Sequence, residues 1–289
     1  MIFLKGIISL IKWFLYWLFR FGAAVAPILT AKIGVGIFTR PSKSKDSLED
    51  LKIKREARRS FLNFENGQLA MMEWGEGPII LGVHGWNSSG KRFRNFVKPI
   101  SDSGFRLLVF DGPAHGCSSG SHLDLMQYAR SIVSVAREMG TIHALIAHSF
   151  GSIASLLAVE KGLKVEKMVI FSPLNGIKGP IDYLTRNSRM PAWFADRFQD
   201  VFEKRFQRDL NSLEALSLAS KLDLPPSLIF HDADDPILPV QNARDLSCAW
   251  KNSQLLVTRG LGHQGCLDDD QVIRKVVSFV ASLEESRLA

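Results

Sequence analysis

The side chain with the clearest chemical potential is Ser149. It stands in Leu145-Ile146-Ala147-His148-Ser149-Phe150-Gly151-Ser152, where an apolar run over 142–147 stops and a helix-compatible run from Ile153 to Val159 begins. A strand, a sharp turn and a helix lift a serine hydroxyl clear of a sheet edge as a nucleophile. The usual spacing is Gly-x-Ser-x-Gly. Here Ala147 takes the place of the first glycine and Gly151 keeps the second. Small residues are needed two positions to either side because the turn brings those backbones close together. A passive serine in a strand-to-helix loop has the same local look, so the other strand ends decide. A serine hydroxyl is a weak nucleophile near neutral pH. It needs a base within hydrogen-bond reach, and that base needs a carboxylate to orient it. Three more apolar runs end on useful groups: His84-Gly85-Trp86, the acidic His231-Asp232-Ala233-Asp234-Asp235, and Gly262-His263-Gln264-Gly265. The order Ser, Asp, His suits a nucleophile, an orienting acid and a base, and open parallel sheets form their sites at the carboxyl ends of the strands.

The elements that must carry these groups alternate. Two apolar runs flank Glu65-Asn66-Gly67, a hairpin signal. Buried-type strands follow at 78–83, 105–110, 142–147, 167–171, 226–230 and 254–257. Helix patterns lie between them, near 91–102, 123–139, 240–250 and 268–285. The expected class is α/β, a mostly parallel sheet covered by helices on both faces. Residues 174–224 break the alternation with helical pieces, the clearest at 192–208, where Phe194, Phe198, Phe202 and Phe206 recur every four residues. This stretch reads as a helical insertion over the carboxyl edge of the sheet. Its Phe stripe either attaches the insertion to the body or lines an apolar substrate pocket.

The net charge of +7 is concentrated at one end. Residues 1–60 hold 12 Lys/Arg against 4 Asp/Glu, and residues 61–289 hold 24 against 25. The body therefore offers no global nucleic-acid footprint. Cys117, Cys248 and Cys266 are scattered, which suggests neither a disulfide framework nor a metal site. Residues 1–38 are strongly apolar but interrupted by Lys5, Lys12, Arg20 and Lys32. A spanning helix, a secretory signal and an in-plane amphipathic helix compete there. Lys12 and the Pro27 after Ala24-Val25-Ala26 disfavour the signal. Lys5, Ser9, Lys12, Tyr16 and Arg20 share a sector of about 80° on a helix, the pattern of an interfacial anchor. The bland alternative is a helix packing its apolar face on the body or on a partner subunit. Residues 39–59 carry eight Lys/Arg and four acids and read as a basic linker or an exposed helix. If the preceding segment spans a bilayer, this cluster favours a cytoplasmic body. If it lies in the plane, the cluster adds attraction to anionic lipid.

From Phe61 onward the chain resembles the α/β-hydrolase superfamily. His84-Gly85-Trp86 is similar to the family's oxyanion loop, and Asp111-Gly112-Pro113-Ala114-His115-Gly116-Cys117-Ser118 resembles its D-x-x-G-H-G-x-S turn. Ala147 to Gly151 resembles the nucleophile elbow, Asp235-Pro236-Ile237-Leu238-Pro239 the acid turn, and Gly262-His263 the histidine turn. The resemblance selects Asp235 among the three nearby aspartates, leaves Asp232 and Asp234 as turn residues, and implies that 174–224 is a cap. Ala147 and Ala114 depart from glycines of the pattern. His115 is expected to hold its own turn, His84 and Gly85 to brace the oxyanion loop, and Gly151 to support the elbow. His122, His143 and His231 are expected to be structural, and His148 is given no role.

These readings imply a serine hydrolase that cleaves a carboxylic ester, thioester or acyl-lipid. Ser149 is the nucleophile, His263 the base and Asp235 its orienter, with the backbone N–H groups of Trp86 and Phe150 as the oxyanion hole. No metal or organic cofactor is required. The expected partners are a small or lipid-like acyl compound and a membrane surface bound through 1–38, with no nucleic acid. Amide or peptide hydrolysis and acyl transfer are rival activities on the same fold. A catalytically idle binding or scaffold protein at a membrane is the rival from another class, and a cytoplasmic soluble protein the rival location.

Overall fold

The computed structural model describes residues 17–43, 45–187 and 190–282. The described chain forms two compact units. The larger joins 41–175 to 214–282, and the smaller joins 17–40 to 176–213.

The larger unit is built on one eight-stranded sheet. Its strands are β1 Arg58–Phe64, β2 Gly67–Trp74, β3 Ile79–Val83, β4 Arg106–Phe110, β5 Ile142–His148, β6 Val165–Phe171, β7 Ser227–Asp232 and β8 Ser253–Thr258. They lie in the order β1-β2-β4-β3-β5-β6-β7-β8. The first two strands run antiparallel to their neighbours, and all the later pairs are parallel. The chain steps from β3 to β4 on one side, then crosses back to lay β5 on the other. That reversal opens a crevice at the carboxyl ends of β3 and β5, where such sheets place their sites.

The central strands are apolar throughout because both faces are covered. Every residue of β3 is buried, as are the last five of β5 and of β6. Phe96, Phe171, Phe230, Ile146 and Val276 belong to one core cluster. Helix Phe150–Glu160 is apolar on all sides and almost wholly buried. Helices Leu125–Met139 and Asp270–Ala281 start on Asp124 and Asp269, whose carboxylates accept from the N–H groups of Gln127 and of Gln271 and Val272. Lys167, buried on β6, donates to the carbonyls of Phe279 and Ser282 and so closes the end of the last helix.

The hairpin turns on Glu65-Asn66, with Phe64 paired to Gly67 and Glu65 at φ 49°. The glycine is needed one place later than turn chemistry suggests, for packing: a Cβ on Gly67 would lie 2.6 Å from that of Ser119. Within the basic stretch 39–59, Leu48–Glu56 is a helix started by a capping box between Ser47 and Asp50. Asp50 is buried beside Lys91 at 3.2 Å, and Lys54 meets Asp46 at 2.8 Å. Part of that basic charge is therefore matched locally. Helix Ala215–Lys221, inside the 174–224 stretch, packs on Phe150–Glu160 and Gln241–Ala249 within the larger unit.

The smaller unit pairs the N-terminal helical residues 17–25 and Pro27–Phe38 with helices Lys178–Asn187 and Ala192–Phe206. The Phe stripe faces the N-terminal segment. Phe19 meets Phe194 edge-on at 6.0 Å, and Phe38 meets Phe198 and Phe202 at 5.8 and 6.3 Å. Gly34 makes this approach possible, because a Cβ there would sit 2.9 Å from the Phe198 ring. The stripe thus holds two segments of the smaller unit together, an arrangement that neither sequence reading of it anticipated. Lys5, Ser9, Lys12 and Tyr16 of the expected polar sector lie outside the described residues. Among the described residues no helix is long and apolar enough to cross a membrane.

Candidate active site

β5 ends at His148, and the helix that follows begins at Phe150. Between them Ser149 takes φ 52° and ψ −118°, a conformation that costs a non-glycine residue about 1–3 kcal/mol. Its N–H donates to the Phe171 carbonyl at 2.9 Å, and its own carbonyl accepts from the Ser152 N–H at 2.9 Å, so backbone bonds on both sides hold the strained turn. Gly151 is obligatory. A Cβ there would fall 2.5 Å from the Val83 carbonyl oxygen and 2.6 Å from that of His84. Ala147 needs no glycine, since it sits within β5 without a positive φ. Ala114 does adopt a glycine-like backbone, at φ 65°.

Ser149, His263 and Asp235, more than a hundred residues apart at the extremes, meet at the carboxyl ends of β5, β8 and β7. The Ser149 Oγ lies 3.2 Å from His263 Nε2, and His263 Nδ1 lies 2.7 Å from Asp235 Oδ2. That order of bonds places the imidazole proton on Nδ1, donated to the carboxylate, and leaves the Nε2 lone pair facing the hydroxyl. The Asp235 side chain is fully buried, and its Oδ1 accepts from the N–H groups of Ile237 and Leu238 at 2.8 and 3.0 Å. Burial pushes this carboxyl up, but hydrogen bonds from His231, His263 and the two amides outweigh it and hold the group well below the usual carboxylate range.

The His84-Gly85-Trp86 loop leans on the elbow. Gly85 permits the approach, since a Cβ there would lie 3.0 Å from His148 Nδ1 and 3.2 Å from the Ser149 Cβ. Trp86 and Phe150 touch ring to ring at 5.3 Å, so the two residues expected to supply oxyanion donors adjoin. Phe150 opens its helix, where the first N–H groups have no intrahelical acceptor. The loop is braced from behind. His84 accepts from the Gly112 N–H at 2.9 Å and donates from Nδ1 to the Gly85 carbonyl at 2.7 Å. His115 accepts from the Asn87 N–H at 3.2 Å and donates to the Pro113 carbonyl at 3.0 Å. Burial pushes His84 down to about 4 and His115 to about 3, so both are neutral struts. Asp111 anchors the same turn by accepting from the N–H groups of Gly90 and Cys117, both at 2.8 Å.

Several supports were not apparent from residue types and spacing. His148 Nε2 donates to the His263 carbonyl at 3.0 Å, and the Ser172 hydroxyl reaches the same oxygen at 3.3 Å. Burial pushes His148 down to about 3, so this link is neutral as well. Asp232 and Asp234 grip the histidine turn from below. Asp232 Oδ2 accepts from the Thr258 hydroxyl at 2.8 Å and the Leu261 N–H at 3.0 Å, and Asp234 accepts from the Gly260 N–H at 3.0 Å. His231 lies 3.4 Å from Asp235 Oδ2 and donates to the Leu238 carbonyl at 3.0 Å, which sets the acid turn. Tyr128 donates to the His84 carbonyl at 2.8 Å. For His148, Ser172, Asp232, Asp234 and His231 the only sequence signal is proximity to a strand end, and Tyr128, within helix Leu125–Met139, has not even that. A separate cleft of about 750 Å³, bounded by His143, Leu163, Pro225 and Ser282, lies by the amino ends of β5–β7, away from these groups.

Comparison with known proteins points one way. A family model described as the alpha/beta hydrolase fold matches residues 78–224, just over half of the chain. A non-heme haloperoxidase from Rhodococcus erythropolis is 24% identical over 263 residues, spanning 73% of this chain and 94% of that protein. An esterase from Pyrococcus furiosus superposes with a TM-score of 0.63 at 16% identity, covering 84% of this chain and 97% of its own. A bacterial membrane phospholipase A superposes with a TM-score of 0.62 at 15% identity, covering 96% and 97%.

Proposed function

Because the chain belongs to the alpha/beta hydrolase family, we propose that it is a serine hydrolase cleaving a carboxylic ester through an acyl-enzyme on Ser149. The observation that carries this reading is the continuous relay from the Ser149 Oγ through both nitrogens of His263 to the buried Asp235 carboxylate. In the first step the Oγ attacks the ester carbonyl carbon and its proton passes to His263 Nε2. The carbonyl oxygen becomes an oxyanion, received by the N–H groups of Phe150 and Trp86. Asp235, held ionised by its four donors, stabilises the imidazolium without taking its proton. Collapse of the intermediate breaks the bond to the alcohol, which leaves with the proton from Nε2. Water then attacks the acyl-enzyme with His263 again as base, and the carboxylic acid departs.

The substrate class in this reading is a small or lipid-like acyl ester, and the protein works at a membrane. The membrane part is supported by the apolar residues 1–38 and by the basic stretch after them, which favours the anionic cytoplasmic leaflet. The test of the chemistry is labelling with a fluorophosphonate, which traps an activated serine. Wild type should label, Ser152→Ala should label equally, and Ser149→Ala should not. A folded wild type that stays unlabelled and hydrolyses no ester in a panel graded by acyl length would sink the proposal. An ester panel left intact while matched amides are cleaved would replace ester with amide hydrolysis.

A further inference from the structure

Exposure of large apolar side chains is concentrated in the smaller unit. Trp17, Leu18, Phe21 and Val25 are open on the first helical stretch, and Ile28, Leu29, Ile33 and Ile37 on helix Pro27–Phe38. The buried residues of that helix, Thr30, Ala31, Gly34 and Val35, occupy its other side. A helix apolar all round is stable in water only if both halves are covered. Here one half is covered by the Phe stripe, and the other is exposed, with Ile37 at 65% and Leu29 at 60%.

Beside this face lies a basic cleft. It has a volume of about 540 Å³ and is lined by Lys32 of the N-terminal helix and by Arg197, Lys204 and Arg205 of helix Ala192–Phe206, over Ile28 and Val201. Asp200, 3.4 Å from Arg197, is the one carboxylate in its lining. Among the described residues no carboxylate lies within ion-pair distance of Lys32, Lys204 or Arg205, and the Arg205 guanidinium reaches over Gly36 toward the apolar face. Trp193, 45% exposed, stands one helical turn before Arg197, on the same helix face as Arg197, Asp200 and Lys204. Exposed aliphatics flanked by Trp and by cations are the composition of a surface that seats in a bilayer interface.

We propose that the smaller unit docks on an anionic phospholipid bilayer. Its exposed helix face enters the acyl boundary, and the cleft of Lys32, Arg197, Lys204 and Arg205 receives headgroup phosphates. The proposal deepens the membrane reading above and is independent of the chemistry at Ser149. It adds helix Ala192–Phe206 to the contact and names the lipid charge. A second copy is the poorer occupant, because pairing the apolar faces would bring two cationic clefts together.

The test uses the purified full chain and vesicles of phosphatidylcholine alone or mixed equally with phosphatidylglycerol. Wild type should bind the anionic vesicles at least tenfold more tightly, and less so as salt rises. Lys204→Ala with Arg205→Ala should weaken anionic binding on the order of tenfold. Ile33→Asp with Ile37→Asp should weaken binding to both compositions. Ser149→Ala should bind as wild type does, which separates docking from catalysis. Equal binding to both compositions, or no effect of the basic pair, would overturn the headgroup cleft while leaving membrane association standing. A wild type that binds neither vesicle would overturn docking and the membrane reading together, with ester hydrolysis in solution unaffected. A wild-type dimer that the Ile33 and Ile37 changes split, with vesicle binding unaltered, would assign the face to a second copy and overturn the proposal.

Discussion

Of the fourteen large apolar side chains exposed among the described residues, nine belong to the smaller unit, although it is much the shorter of the two. The larger unit follows the rules of a protein solved for water. Its aromatic and aliphatic residues fill the core around Phe96, Phe171 and Phe230, and several of its buried polar groups hold loops or helix ends. Asp111, His84, Asp232 and Lys167 all have named backbone partners. The smaller unit uses a buried Phe stripe to join two helical segments, then leaves the outer half of one of them apolar. The first pattern yields a rigid site. The second yields a contiguous apolar surface of the kind that marks an interaction face.

Breaking the rigid site should have the largest effect. Ser149→Ala should lower kcat on an ester on the order of a millionfold, and Asp235→Asn on the order of ten-thousandfold, measured with the folded variants. Retained activity in the serine variant would remove the chemistry from the larger unit.

Next in size is the joint of the smaller unit. Phe198→Ala should cost about 3–5 kcal/mol of local stability. Hydrogen exchange should accelerate in 27–38 and 192–206 while the amides of β5 and β6 keep their protection. Uniform acceleration would mean that the two units do not open separately.

His148 tests whether the site depends on its supports. His148→Leu should lower kcat by about ten- to a hundredfold with KM little changed, because the His263 turn loses one of its two side-chain donors and the base shifts. An unchanged kcat, or a loss entirely in KM, would make His148 a packing residue.

Per histidine and per unit of pH, the acid response of the larger unit is no larger than that. His84, His115 and His148 are neutral in the fold down to about 4, 3 and 3. Each titrates near 6.5 when unfolded. Between those values the unfolded chain binds more protons, so stability rises with pH and is lost as pH falls from about 6.5 toward 4. The slope should reach about 1.4 kcal/mol per pH unit for each histidine. Asp235, held low, adds stability that is lost only as pH falls below about 3.9. Urea midpoints at pH 7, 6 and 5 should decline, and a flat profile would contradict the buried neutral histidines.

The smallest effect belongs to the open face. Ile33→Ser should change stability by no more than about 0.5 kcal/mol, because the side chain is already exposed. A loss above about 2 kcal/mol by urea unfolding would show that the free protein covers that face.

The sequence alone was enough to place four strand ends and to order their groups. Each motif is local: an apolar run stops where the sheet stops, and the reactive group stands one to five residues beyond it, Ser149 directly after β5, Asp235 three residues after β7 and His263 five after β8. Ser149 and His263 were therefore legible by type and position, and Gly151 by the close approach it permits, whereas Asp235 was separated from Asp232 and Asp234 only by its resemblance to the family's acid turn. The sheet order and the supporting bonds were decided only by the tertiary structure. His148, Asp232 and Ser172 act on backbone atoms of a turn far along the chain, and no periodicity records which carbonyl a side chain will meet. The Phe stripe shows the same limit. Its four-residue spacing announced a buried helix face, but the partner was a segment some 160 residues away, found through the ring contacts of Phe38 and the bare backbone of Gly34. Local chemistry writes the face of an element into the chain, whereas long-range packing selects what that face touches.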